Sequence, residues 1–410
     1  MTTSPFDSYR PPEEGGRRRR RSGVRGAVTG AVADAREAVQ QGRGARRSGT
    51  SWLNRDGGGR REAPAVPDAE FSSYYGRGVI KPVPWRHEIP AYLFVGGVAA
   101  GSGILATGAA WTGREILRRN SRLTAMAGVA LSGALLVADL GRPERFLNMM
   151  RTMKLTSPMS VGTWILSGYA AFTGVTTASE VVRLLAPPSR PGASDGEILG
   201  HRAHGAAIPA GVLGMASRVL GVADAPAALG QALFAPPLAA YTAVLLSDTV
   251  TPVWFESRRQ LPFVFVGSAA LASSGVQMVL TPTEQAGPAR RFALIGVVAD
   301  LVGMHRLEEH LTELELDEPV RTGQGGAKLR LAKVLTVAGG VGTLCSGRSR
   351  AVAIASGLAL AAASALTRFG MVEAGIESAK DPKYTVGPQK RRLEERRAAG
   401  AVHDSTVTVR

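Results

Sequence analysis

Residues 84–111 read PWRHEIPAYLFVGGVAAGSGILATGAAW, and the nature of this stretch decides the fold. A tryptophan, a histidine and a glutamate (Trp85, His87, Glu88) stand at the head of an apolar segment. The segment has roughly the twenty residues that a helix needs to cross a hydrocarbon core. Gly96, Gly97, Gly101, Gly103 and Gly108 lie within it, and residues this small let a second helix come close. An acid at the edge of a span is costly to place, which makes Glu88 a functional candidate. The plainer reading is that Glu88 marks the water boundary.

Outward from this segment the composition changes. Residues 1–80 are rich in Arg, Gly, Pro and Ser, including the run Arg17 to Arg21. They have too few large apolar side chains to offset chain entropy, so a disordered basic tail is expected. No apolar core follows the arginines closely, which argues against a secretory or twin-arginine signal. A second basic tail, 377–410, carries Lys390, Arg391, Arg392, Arg396 and Arg397. The mean hydropathy of +0.04 averages these ends with an apolar middle. Most of the net charge of +16 sits in tails and loops flanking apolar runs. That placement fits anionic lipid headgroups rather than nucleic acid.

Apolar runs predict membrane spans at 90–111, 122–139, 160–182, 232–250, 262–281, 330–346 and 349–368. A shorter eighth, 289–306, has polar ends and carries Asp300. Residues 205–222 are apolar but interrupted by Pro209, Gly211, Gly214 and Arg218, and read as an interfacial or re-entrant piece. The expectation is an all-α polytopic membrane protein with about eight transmembrane helices over residues 81–376. An even number puts both termini on one side. The positive-inside rule places the basic ends in the cytoplasm and the chain in the cell membrane. Arg114, Arg118, Arg119 and Arg122 then fall outside, and Arg142, Arg145, Arg151 and Lys154 inside.

Cysteine and histidine usage narrows the chemistry. One cysteine, Cys345, does not build an iron–sulfur cluster, which needs about four thiolates. The chain has no CxxCH haem-attachment motif. Its six histidines (His87, His201, His204, His305, His310 and His403) fall mostly in loops or at helix ends. The expectation is therefore no haem, no cluster and no other metal in this chain. Electrons would arrive on another subunit or a diffusible carrier.

Polar motifs recur at the ends of the apolar runs. DLGRPERFLNMM at 139–150 holds Asp139, Arg142, Pro143, Arg145 and Phe146. KLTSPMSVGTW at 154–164 offers Ser157 as a helix cap and Pro158 at the first helical position. YTAVLLSDTVTPVW at 241–254 sets Tyr241 about two turns before Asp248. Taken singly, each has a plain account: Arg142 neutralising Asp139 or touching a lipid phosphate, Tyr241 anchoring at the interface, Asp300 pairing with an arginine such as Arg306.

Together the motifs resemble one family. PW-x-x-E-I-x-x-Y-x-F-x-G-G-x-A-x-G, DLGRP-x-R-F, SPMS-x-G-x-W and YT-x-x-LL with P-x-W occur in order between Pro84 and Gln389. This pattern is similar to that of the NrfD family, the integral-membrane subunits of polysulfide-reductase-type and related molybdoenzyme complexes. The resemblance implies eight helices in two four-helix bundles without redox cofactors of their own. It implies binding of menaquinone or a similar quinone as substrate. It also implies two-electron exchange with a docked ferredoxin-like iron–sulfur subunit, itself wired to a molybdopterin enzyme of the formate dehydrogenase or sulfur-compound reductase kind. Carried onto this chain, the quinone site falls at His87, Tyr92 and Tyr241, with Glu88 relaying protons. His87, with an ordinary pKa of about 6.5, suits the same relay. Asp139, Asp248 and Asp300 extend the proton-transfer set, and Arg142 and Arg145 belong to the pocket mouth or the partner surface. Two other classes remain: a purely structural membrane anchor, which uses the same helices but would not need the intramembrane polar residues, and a secondary transporter, for which the internal repeats common in such folds are not evident.

Overall fold

The computed structural model describes residues 79–139, 144, 151, 153–185 and 212–400. Among these residues the regular structure is helical, with no strand. Eight helices reach 20 residues or more: α1 (Glu88–Trp111), α2 (Glu115–Asp139), α3 (Pro158–Leu185), α4 (Val212–Ser247), α6 (Leu261–Leu280), α7 (Gly287–Glu313), α9 (Gly323–Cys345) and α10 (Arg350–Lys380). Three shorter ones, α5 (Pro252–Glu256), α8 (Glu318–Arg321) and α11 (Lys383–Ala398), lie between or after them. Five of the long helices (α1, α2, α4 from Ser217, α6 and α10) are long and apolar enough to cross a membrane. The other three are more polar in sequence. Yet α7 exposes Ile295, Val298 and Val302, and α9 exposes Val334, Val337, Val341 and Leu344, each set at helical spacing along one face.

Short turns at one end link the hairpins α1–α2, α6–α7 and α9–α10. The α1–α2 turn closes through Gly113, whose φ of +64° is a left-handed value that glycine takes at little cost. The 281–286 turn is tied down from three helices. Arg114 donates to the Glu284 carbonyl at 2.8 Å, Arg290 to that of Thr283 at 2.7 Å, and the Ile116 amide to the Gln285 side chain at 2.8 Å. Arg350 donates to the carbonyls of Met278 and Thr281, at 2.8 and 2.6 Å. It thereby satisfies carbonyls that the end of α6 leaves without a helical partner.

Helices α1 and α6 are the centre of the packing. α1 lies against α2, α4, α6 and α10, and α6 lies against α7, α10, α1 and α4. Small residues set these distances. A Cβ on Gly267 of α6 would stand 2.6 Å from the Asp300 amide nitrogen of α7, and one on Gly128 of α2 would stand 2.9 Å from the Ala99 Cβ of α1. Backbones this close gain dispersion contact where lipid supplies no hydrophobic drive between helices.

Three expectations change. Of residues 205–222, expected as an interfacial or re-entrant piece, 205–211 lie outside the described residues and 212–222 are the first turns of α4, which runs through Pro226, Pro236 and Pro237 without ending. Neighbouring helices and hydroxyl side chains can satisfy the carbonyls a proline frees, so such breaks are tolerated in membrane helices. The run around Asp300, expected to be short, is 27 residues of continuous helix. Arg118 and Arg122, expected at an outer loop, lie inside α2 and are only 8% and 1% exposed. The α1–α2 turn needs only three residues, so α2 begins at Glu115 and carries both arginines inward.

Those arginines survive burial because carboxylates come with them. Glu180 of α3 accepts from Arg118 at 3.1 Å, from Arg122 at 3.2 Å and from Arg183 at 3.3 Å. Asp224 of α4 pairs with Arg122 at 2.9 Å and Arg183 at 2.8 Å. Five charges thus bind α2, α3 and α4 to one another. Buried charges persist only when paired in this way.

Candidate functional site

The antiparallel path of α1 and α2 brings the first residue of one beside the last of the other. Glu88 opens α1 and Asp139 closes α2, near enough for the Glu88 charge to act on Asp139. α3 begins at Pro158 and α4 ends at Ser247, so their polar motifs sit at this end as well. The expected cap forms, with the Ser160 amide reaching the Ser157 hydroxyl at 3.5 Å. Lys154 donates its amide to the Ser160 hydroxyl at 2.9 Å, which closes the turn ahead of α3.

The motifs then interlock. The ring of Tyr241, on α4, lies against the bare backbone of Gly162 on α3, in the space a Cβ would occupy. Trp85, just before α1, stacks on Trp254 of α5 with ring centroids 5.4 Å apart and planes at 25°. Trp254 is fully buried, and its indole nitrogen donates to the Met371 carbonyl of α10 at 2.8 Å. Its ring fills the space beside Gly375. The PW and P-x-W motifs are therefore two halves of one contact, tying the start of α1 to α10.

Tyr92 and Tyr241 are 3% and 8% exposed and belong to one buried apolar cluster with Ile89, Leu93, Leu238 and Leu246. One turn before Tyr92, Glu88 is partly exposed, and His87 beside it is exposed, with its Nε2 3.7 Å from a Glu88 carboxylate oxygen. From bulk water inward the order is imidazole, carboxylate, phenol. A groove of about 1290 Å³ also opens at this end; Val250, Phe255, Glu256 and Arg392 are among its lining, and Tyr92 and Tyr241 are not.

The remaining expected residues are placed differently. Asp248 is exposed, just past the end of α4. Arg142 and Arg145 lie outside the described residues. Asp300 is buried in α7. It accepts from the Thr336 hydroxyl of α9 at 3.5 Å and feels the charge of Arg368 on α10, not that of Arg306. Arg368 is wholly buried, donates to the Phe265 carbonyl at 2.6 Å and stands 3.7 Å over the Phe265 ring. One oxygen of Asp300 and two nitrogens of Arg368 have no partner among the described residues. Among those residues no three His, Cys, Asp or Glu side chains gather as a metal site would.

Sequence reasoning missed Arg368, the Trp85–Trp254 stack and the Glu180–Asp224 network. The available signal was in the charges of the network. Glu180 and Asp224 each interrupt an apolar run, and Arg118 and Arg122 are spaced one helical turn apart.

The family model for polysulphide reductase, NrfD, matches residues 78–286, just over half of the chain. The chain belongs to the NrfD family. The matched region takes in α1 to α6 and stops one residue before α7. No curated protein matches the chain. With its apolar helices, this membership makes it a multi-pass membrane protein, a subunit of the kind found in oxidoreductase complexes. NrfD subunits in general associate with iron–sulfur and molybdopterin-containing catalytic subunits.

Proposed function

We propose that this chain is the quinone-reactive membrane subunit of a respiratory oxidoreductase complex. It exchanges electrons between menaquinone or menaquinol and a docked iron–sulfur subunit of a molybdopterin enzyme, of the formate dehydrogenase or sulfur-compound reductase kind. The observation that carries the proposal is the graded set at one end of the helices. Two buried phenols, Tyr92 and Tyr241, share an apolar cluster beneath the Glu88 carboxylate, with His87 at the water.

A quinone ring requires an apolar slot, hydrogen bonds at its two carbonyl oxygens, and somewhere for two protons to go when the quinol is oxidised. The phenols of Tyr92 and Tyr241 supply the hydrogen bonds. Glu88 takes a proton and passes it to His87, an exposed imidazole that can accept it at one ring nitrogen and release it from the other to water. Asp139, beside Glu88 at the same end, serves the mouth of this route. The electrons leave to a cluster on the partner, in keeping with the lone cysteine of this chain. Asp300, with an oxygen that has no partner among the described residues, is a protonatable site off this route. Asp248, exposed at a helix end, has no evident place in it.

All eight long helices cross the membrane in this reading, as α1–α4 and α6, α7, α9 and α10, two bundles of four meeting along α1 and α6. The lipid-ready stripes on α7 and α9 support this, although those helices are polar on average. Both ends of the described chain then lie on the cytoplasmic side, where the basic residues concentrate.

The test is quinol oxidation by the assembled complex carrying Tyr241→Phe or Glu88→Gln. Loss of turnover with the complex intact supports the assignment, and unchanged turnover in both variants removes these residues from the mechanism.

A further inference from the structure

The groove at the tyrosine end of the helices has a chemistry that the quinone reading does not use. One wall is apolar and comes from the connection between α4 and α6: Val250, Pro252 and Phe255. Leu316, from the α7–α8 connection, and Leu393 of α11 continue that surface. The rim is basic, with Lys81 ahead of α1 and Arg392 and Arg396 on α11. Val250 is 74% exposed and Phe255 41% exposed, apolar surface that bulk water disfavours. Arg258 stands 4.6 Å over the Phe255 ring, a further cation beside the same wall.

The position of the groove follows from the helices. α4, α7 and α10 end here and α6 begins here, so the groove lies where the spans meet the headgroup layer. α11, which walls it, carries six basic residues against two acids in KYTVGPQKRRLEERRA. It is fixed across this end by Lys383–Glu318 at 2.6 Å, Arg392–Glu256 at 3.1 Å and an Arg391 bond to the Glu313 carbonyl at 2.8 Å. The groove acids do not cancel the rim. Two acids line it, Glu256 and Glu395, against Lys81, Arg392 and Arg396, and Glu256 is already paired with Arg392 and Arg258, so positive charge remains in surplus. A slot with an apolar wall and surplus positive charge at its edge, open at headgroup depth, matches one kind of molecule. It must be acyl at one end and anionic at the other.

We propose that this groove binds an anionic glycerophospholipid of the surrounding membrane. The lipid phosphate lies between Lys81 and Arg396, and an acyl chain lies along Val250, Phe255 and Leu393. The lipid joins α11 to the ends of α4 and α6. The proposal rests on this end of the helices meeting a membrane surface and is independent of whether quinone binds near Tyr92.

The test uses the full chain in neutral detergent, titrated with phosphatidylglycerol or phosphatidylcholine. Bound lipid is counted by native mass spectrometry, and the melting temperature without lipid controls for folding. Wild type is expected to prefer phosphatidylglycerol. At roughly five-fold per basic residue near a membrane surface, the double variant Lys81→Ala, Arg396→Ala loses about 25-fold in affinity for it. Arg348→Ala, an exposed arginine at the opposite end, keeps wild-type affinity. Equal binding of the two lipids by wild type overturns the proposal, as does a loss below about five-fold in the double variant or an equal loss in Arg348→Ala. Quinone content, measured on the same samples, reports separately on the quinone site.

Discussion

At Gly162 the absence of a side chain decides where Tyr241 can lie. The phenol ring occupies the volume that any Cβ would need, so Gly162→Val must push the ring away or part α3 from α4. The expected cost is about 1–3 kcal/mol by thermal unfolding, the usual range for overpacking. A fall in quinol turnover should accompany it as Tyr241 shifts. Tyr241→Phe separates the two effects, because it keeps the ring and removes only the hydroxyl. Its melting temperature should stay close to wild type while turnover drops on the order of ten-fold, the value of about one good hydrogen bond. Trp254 offers a contrast outside the proposed chemistry. Trp254→Phe gives up the bond to the Met371 carbonyl and part of the stack on Trp85, so it should lower stability and leave the order of the quinone site to follow. Residue by residue, motif order in the sequence was informative about type but not about pairing. PW and P-x-W were visible as separate motifs, yet nothing in their spacing said that the two indoles touch.

At the scale of elements, the network at the far ends of α2, α3 and α4 is the part most sensitive to a single change. Glu180 accepts from three arginines, two of them nearly dry. Glu180→Gln leaves Arg118 and Arg122 without their shared counter-charge, and a broken buried pair costs about 3–5 kcal/mol. A melting curve of the variant, with loss of the α2–α3 contact followed by cross-linking, checks this. α11 is held more lightly. Lys383 holds the exposed Glu318 carboxyl below its ordinary range, and the same bond raises the lysine. A depressed carboxylate contributes stability above its unfolded pKa and loses it as pH falls through the folded one. A raised lysine contributes below its unfolded pKa and loses it as pH rises through the folded one. Protection factors for amide exchange over residues 383–398, corrected for the intrinsic rate at each pH, should therefore fall at both acid and alkaline extremes while α6 and α10 stay protected. The apolar helices were legible from hydropathy alone, because α1, α2, α6 and α10 are apolar runs of membrane length. α4 was legible only in its second half, from residue 232, since Pro226 and the glycines before it break a pattern that packing then restores. The buried arginines were not legible either, because a charge at a helix end reads as solvated until its partner, on another helix, is known.

For the whole molecule, topology makes a prediction that the lone cysteine can check. Cys345 is exposed at the end of α9, opposite the end where α1 begins and α10 finishes. With eight crossings and cytoplasmic ends, an impermeant maleimide should label Cys345 from outside intact cells. A C-terminal tag should stay protected from external protease. Access to both from the same side would mean that α10 does not cross, and a protected Cys345 with an accessible tag would mean an inverted chain. The family match stops before α7, so the placement of the last helices rests on the packing of α7 and α10 against α6, on that of α9 against α7 and α10, and on the exposed apolar stripes of α7 and α9.

The account stands or falls on electrons passing between a quinone in this subunit and a cluster outside it. The direct measurement is menaquinol oxidation by the purified complex, with bound quinone and iron assayed in the same preparation. The account predicts co-purified naphthoquinone, iron carried by a partner subunit, and turnover blocked by a quinone analogue and by Glu88→Gln. A complex that turns over without quinone and ignores both the analogue and the Glu88 variant would contradict it.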